Sequence, residues 1–226
     1  MEASREERPL GMTVPPVAAG VEIPPEPPDV GARALFIAGR LLAGATTFFF
    51  LAFAFAYFYL RSLNQSHQWH PGHVKVEQGY GAAIIACIVV SAALAFVAGR
   101  QIRRESPSWI GPAAVALVLG LAAVVLQCIE FTTQRFGPTD GGFASVFCAW
   151  TAFYAIAVLG TMYWLETQVA TELRARRVPG RELDEETGAD IADPDKLIAP
   201  GMEACAFFWS YLAGLGVIAY VVLYLI

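Results

Sequence analysis

The chain has only three histidines, His67, His70 and His73, and all of them fall in one short polar segment. None of its long apolar stretches contains a histidine. Haem in helical membrane bundles hangs on histidine projecting from the helices, and copper centres need clusters of histidine, cysteine or methionine. The apolar part of this chain therefore offers no ligand set for a bis-histidine haem or a haem–copper pair, and no histidine base for a membrane-embedded hydrolase. Cysteine is also sparse. Cys87, Cys128, Cys148 and Cys205 stand singly in four different apolar stretches, without ligand spacing, and read as small packing residues. Charge is low: 15% of residues are charged against 56% hydrophobic, and mean hydropathy is +0.51. Those values exclude an ordinary soluble domain and define the membrane class. The net charge of −5 gives no reason to expect nucleic acid as a partner.

What is abundant is long apolar sequence. A bilayer-spanning helix needs about twenty residues, and five stretches meet that length: 34–60, 79–99, 108–131, 143–165 and 202–226. The reading is an all-α integral membrane protein with five transmembrane helices in one bundle, occupying residues 34–226. Lys and Arg set the orientation. With the N-terminus inside, the inner segments hold Arg5, Arg8, Arg33, Arg100, Arg103, Arg104, Arg174, Arg176, Arg177, Arg181 and Lys196. The outer segments hold Arg61, Lys75 and Arg135, so the bias is eleven to three. This predicts a cytoplasmic N-terminus and an outer C-terminus. Arg40 lies within two turns of the first span's start, close enough to snorkel to the interface.

Residues 1–33 carry acids and half of the 14 prolines and read as an extended, solvated cytoplasmic arm rather than a signal peptide. Residues 172–177 are expected to prolong the fourth helix. Residues 178–200 read as a mobile acidic cytoplasmic loop. The segment containing the three histidines has two readings. One is a weak metal site, whose ring alignment Pro71-Gly72 interrupts. The other is an interfacial loop anchored by Trp69.

The second span is rich in small residues, which let helix backbones approach closely. The first is aromatic: Phe48, Phe49 and Phe53 belong to a band that suits lipid chains or a large partner surface. In the third span, Gln127 and Glu130 are three residues apart and so share one helical face. A carboxylate at membrane depth is expensive unless paired or hydrated, so the two are expected to form a polar clasp toward a neighbouring helix. Glu203, at the start of the last predicted span, reads as an acid favoured at a helix N-terminus.

The segment Leu126-Gln127-Cys128-Ile129-Glu130-Phe131 is followed by a Gly-Pro-Thr-Asp-Gly turn and then by Gly142-Phe143-Ala144-Ser145-Val146-Phe147. This order resembles subunit III of the haem–copper (cytochrome c) oxidases, in its shorter five-helix bacterial form. Glu203-Ala204-Cys205-Ala206-Phe207-Phe208-Trp209 is similar to that family's opening of the last helix, and Ala56-Tyr57-Phe58-Tyr59-Leu60-Arg61 to the end of its first conserved helix. The resemblance covers roughly residues 35–226. It implies an accessory, non-redox subunit in a multi-pass bacterial inner membrane, with phospholipid between helices and Trp209 with the aromatics on a lipid or partner surface. It also implies subunit I as catalytic partner, with subunit II and further respiratory subunits beside it. Haem and copper would sit in those partners, which would reduce dioxygen, and no catalytic chemistry would belong to this chain.

The chain departs from the family pattern at several places. Thr46 stands where the family carries a buried Glu. Tyr154 and Ala157 stand where it carries histidines, and Ser210 and Ala213 where it carries His and Asp. A divergent branch, the subunit-III-like accessory protein of a nitric-oxide reductase or of another respiratory complex, is the alternative. A small transporter is a further one. It is disfavoured because the chain shows no internal repeat and Glu130 lies away from the midplane.

Overall fold

In a computed structural model of the chain, residues 28–64, 69–104, 106–177 and 194–226 are described. Residues 1–27, His67 and residues 178–193 lie outside the described residues, and with them most of the arm and of the acidic loop. Among the described residues there are five long helices and no strand. They are α1 (Pro28–Ser62), α2 (Gln78–Arg103), α3 (Ile110–Thr133), α4 (Gly142–Arg177) and α5 (Pro194–Tyr220). A short 3-10 turn, Pro107–Trp109, leads into α3, and a π-helical turn, Val221–Leu225, ends α5. All five helices are long and apolar enough to cross a membrane.

Two boundaries differ from the sequence reading, each for a physical reason. Residues 28–33 belong to α1 rather than to the arm. Pro28 opens that helix, where its missing N–H has no intrahelical partner to lose. α4, by contrast, runs on from its apolar stretch to Arg177 as expected. Residues 194–200 are the first turns of α5 rather than loop, and the helix continues through Pro200, close to its start, where few backbone bonds are interrupted.

α5 is the centre of the bundle. It packs against α1, α2 and α4, while α3 packs against α2 and α4. Half of its apolar window is buried, against 22% for α1, which lies at the edge. The tightest pairing joins α2 to α3, and the sequence shows why. On α2 the buried positions include Gly81, Ile84, Ile88, Ser91, Ala95 and Ala98, and on α3 Ala113, Ala116, Gly120, Ala123, Gln127 and Glu130. Both sets alternate steps of three and four, the seam of two helices packing at a shallow angle. Most members are small, so the backbones approach closely, which is how helices associate where lipid removes the hydrophobic drive. Ser91 takes advantage of this closeness: its Oγ donates to the Ala116 carbonyl at 2.6 Å.

α1 joins α4 through rings. Phe50 contacts Trp150, Phe153 and Tyr154, and Phe53 stacks on Trp150 with centroids 6.0 Å apart. The α3–α4 connection is a tight turn. Asp140 Oδ2 accepts from the Gly137 N–H at 2.7 Å, and Gly141 takes a φ of 146°, a conformation that favours glycine. Ser145 of α4 donates back to the Pro138 carbonyl.

Candidate functional site

Gln127 and Glu130 are brought together as their spacing requires, and a third residue completes the group. Gln127 Nε2 donates to Glu130 Oε2 at 2.7 Å. The Tyr224 hydroxyl reaches both carboxylate oxygens, 2.8 Å from Oε1 and 3.0 Å from Oε2. Glu130 is 2% exposed and Gln127 4% exposed, so the group sits inside the protein rather than in solvent. An unpaired carboxylate so placed would carry a heavy desolvation penalty, and the Gln127 amide and the single Tyr224 hydroxyl, shared between the two oxygens, offset it.

Tyr224 lies in the π-helical turn at the end of α5, and four contacts fix it. Its backbone carbonyl accepts from Gln78 Nε2 at 3.1 Å. Its ring meets Phe147 edge-on at 5.4 Å and stacks on Tyr220 at 5.2 Å. It also crosses α2 at Gly81, where a Cβ would come within 2.6 Å of the ring. The glycine is what lets the phenol pass over α2 and reach α3.

The remaining sequence candidates divide. Phe48 is 77% exposed on the outer face of α1 and Phe49 55% exposed, and both belong to a surface. Phe53 is packed on Trp150. Trp209, expected on that surface, is instead fully buried. Its indole N–H donates to Ser91 Oγ at 2.9 Å, and an indole inside a membrane bundle needs such a partner. Glu203, expected at a helix start, lies in the third turn of α5, because the helix begins eight residues earlier than its apolar run. There it pairs with Arg103 Nε from the end of α2 at 2.7 Å. Arg40 is exposed, its guanidinium over the Phe36 ring at 4.1 Å. Trp69 anchors its loop to the bundle. It is 8% exposed and packs edge-on against Tyr57 and Phe143, and its carbonyl accepts from the Phe143 N–H.

The positions that depart from the family pattern are satisfied locally. Thr46 is buried, and its hydroxyl donates to the Leu42 carbonyl at 2.7 Å. Tyr154 is buried and donates to the Leu212 carbonyl at 2.9 Å, tying α4 to α5. Ser210 bonds back within its own helix to Ala206. Among the described residues no three His, Cys, Asp or Glu side chains are grouped at metal-binding distance.

Comparison with protein-family models gives no match for this chain, and comparison with curated proteins gives none either.

Proposed function

We propose that this chain is an accessory, non-redox subunit of a terminal respiratory haem–copper oxidase, of the subunit III kind, lying in a bacterial inner membrane. It holds its N-terminus in the cytoplasm, packs beside the catalytic subunit, and contributes stability and a lipid-binding surface rather than electron transfer. One observation carries the reading. The Leu-Gln-x-x-Glu-Phe segment that resembles the family is also the segment that supplies the buried polar group, Gln127 and Glu130, which the Tyr224 hydroxyl reaches from the turn after α5. Two further features support it. The membrane stretches contain no histidine, so haem and copper belong to partner subunits. The edge helix α1 leaves Phe48, Phe49 and Phe55 exposed, a broad apolar face able to lie against another membrane subunit or its lipid.

The experiment is gentle solubilisation of the native complex by a tag on this chain, with identification of what co-purifies. The expected partner is a larger subunit with histidines on its membrane helices and a haem absorbance spectrum. Recovery of the chain alone, or with partners that carry no haem, overturns the assignment. Thr46, Tyr154 and Ser210, which replace ionisable family positions, favour a second reading: the corresponding accessory protein of a nitric-oxide reductase. The same preparation separates the two, since the first complex consumes dioxygen and the second nitric oxide.

A further inference from the structure

The end of the bundle that carries Tyr224 opens into a cleft of about 570 Å³. Its floor is apolar and rigid, made by Trp69, Phe143 and Leu223, all of them buried. Its rim is basic. Arg61 from the last turn of α1, Lys75 from the loop before α2, and His70 all line it, and no Asp or Glu side chain does. The last residue, Ile226, brings its backbone carboxylate to the same cleft as one anion against the two cations. Basic residues are scarce at this end of the molecule: Arg61, Lys75 and Arg135 are the three there. Two of the three converge on one cleft, while Arg135 stands exposed outside it.

Arg61 is partly pre-positioned. Its guanidinium lies 5.9 Å from the centre of the Tyr57 ring, and one nitrogen is 3.4 Å from the Tyr57 hydroxyl. Neither Arg61 nor Lys75 is ion-paired among the described residues, so a guanidinium fork and an ammonium face the same space. An arginine fork beside a lysine is the donor set that recognises phosphate. The apolar floor does not suit a small hydrated anion, which would leave it exposed to water. It suits an amphiphile that carries phosphate at one end and hydrocarbon at the other. The depth agrees, because Arg61 and Leu225 stand at the ends of the apolar helices, where headgroups meet the hydrocarbon layer.

We propose that this cleft binds the phosphate-bearing headgroup of an anionic phospholipid, with Arg61 and Lys75 on the phosphate and the aromatic floor under the glycerol and upper acyl region. The site depends on membrane placement and not on the oxidase assignment. The test is native mass spectrometry of the delipidated full chain, with phosphatidylglycerol, phosphatidylcholine and inorganic phosphate as probes. Wild type is expected to retain phosphatidylglycerol over phosphatidylcholine. Arg61→Gln with Lys75→Gln lowers that preference by about tenfold, the size of one lost charge-assisted contact. The charge-keeping exchange Arg61→Lys with Lys75→Arg retains most of it, and Arg135→Gln leaves it unchanged. Equal retention of the two lipids by wild type overturns the proposal. So does equal loss in Arg135→Gln, which would mean diffuse surface charge. Displacement of the lipid by millimolar inorganic phosphate overturns it as well, in favour of a free-anion site. Loss of partner co-purification, with lipid preference intact, would remove the oxidase reading and leave this one standing.

Discussion

Tyr224 and Glu130 are 94 residues apart in sequence, and one phenol hydroxyl joins them within 3.0 Å of both carboxylate oxygens. The bond ties the last turn of the central helix to the end of α3, two elements that otherwise meet mainly through α2 and α4. Tyr224→Phe and Glu130→Gln are each expected to destabilise the bundle by about 0.6 to 2 kcal/mol, the range for hydrogen bonds between membrane helices. Because the two groups act on one contact, the double variant should cost clearly less than the sum. Reversible unfolding in mixed micelles measures this, and strict additivity would show that the bond carries no stability. If the proposed oxidase complex forms, Glu130→Ala should lower retention of this chain in detergent without altering the haem spectrum of the complex.

Gly81 and Gly120 both lie on the α2–α3 seam, yet alanine should affect them differently. At Gly81 the new methyl meets the Tyr224 ring at 2.6 to 2.8 Å, and that ring is fixed by Phe147, Tyr220 and Glu130. The ring has nowhere to go, so Gly81→Ala should cost about 1 to 3 kcal/mol, as overpacking does. It should also abolish the coupling between Tyr224 and Glu130. At Gly120 the neighbour is the far end of Met162, a flexible thioether that can rotate aside. Gly120→Ala should cost less than Gly81→Ala under the same unfolding assay. The reverse order would mean that Tyr224 is not held as described.

Ser91 is a junction. It donates to Ala116 on α3 and accepts from the Trp209 indole on α5, so three helices meet at one hydroxyl. Ser91→Ala leaves a buried indole N–H unpaired, and a loss of about 1 to 3 kcal/mol is expected. Ser210→Ala is the control. Its hydroxyl bonds only within its own helix on an exposed position, and the change should stay within about 0.5 kcal/mol. Equal effects of the two substitutions would contradict the junction.

Five spans and the shared face of Gln127 and Glu130 were legible because each rests on a local rule, apolar length in one case and helical period in the other. Tyr224 was not legible. Its role depends on a π-turn and on the absence of a side chain at Gly81, and neither follows from the spacing of residues near Glu130. The signal was present only as a hydroxyl-bearing aromatic at the end of the last span, level with Glu130 if α3 and α5 begin and end at matching depths. Trp209 was misplaced for a related reason: an aromatic run on one helix does not say which of its members faces the bundle. Ser91, its acceptor, was legible only as one more small residue. Glu203 was misread because apolar length marks the membrane part of a helix, and α5 extends two turns beyond it. Its pair with Arg103 is half-exposed and contributes little, about 0.2 to 1 kcal/mol, so that error concerns position more than stability.

Orientation is the prediction that rests most fully on sequence. With Arg33, Arg100, Arg103, Arg104 and Arg174 at one end of the bundle and Arg61, Lys75 and Arg135 at the other, charge is strongly asymmetric across the five helices. Positive charge is retained on the cytoplasmic side during insertion. The Tyr224 end should therefore face outward, and with it the cleft beside Arg61. Single cysteines introduced at Gly72 in the loop before α2 and at Glu105 between α2 and α3 test this, on a background with the four native cysteines replaced by alanine or serine. A membrane-impermeant thiol reagent applied to intact cells should label the first and spare the second. The opposite pattern would invert the topology. It would place Arg61 and Lys75 on the inner leaflet, where the lipid site would have to be tested against inner-leaflet composition.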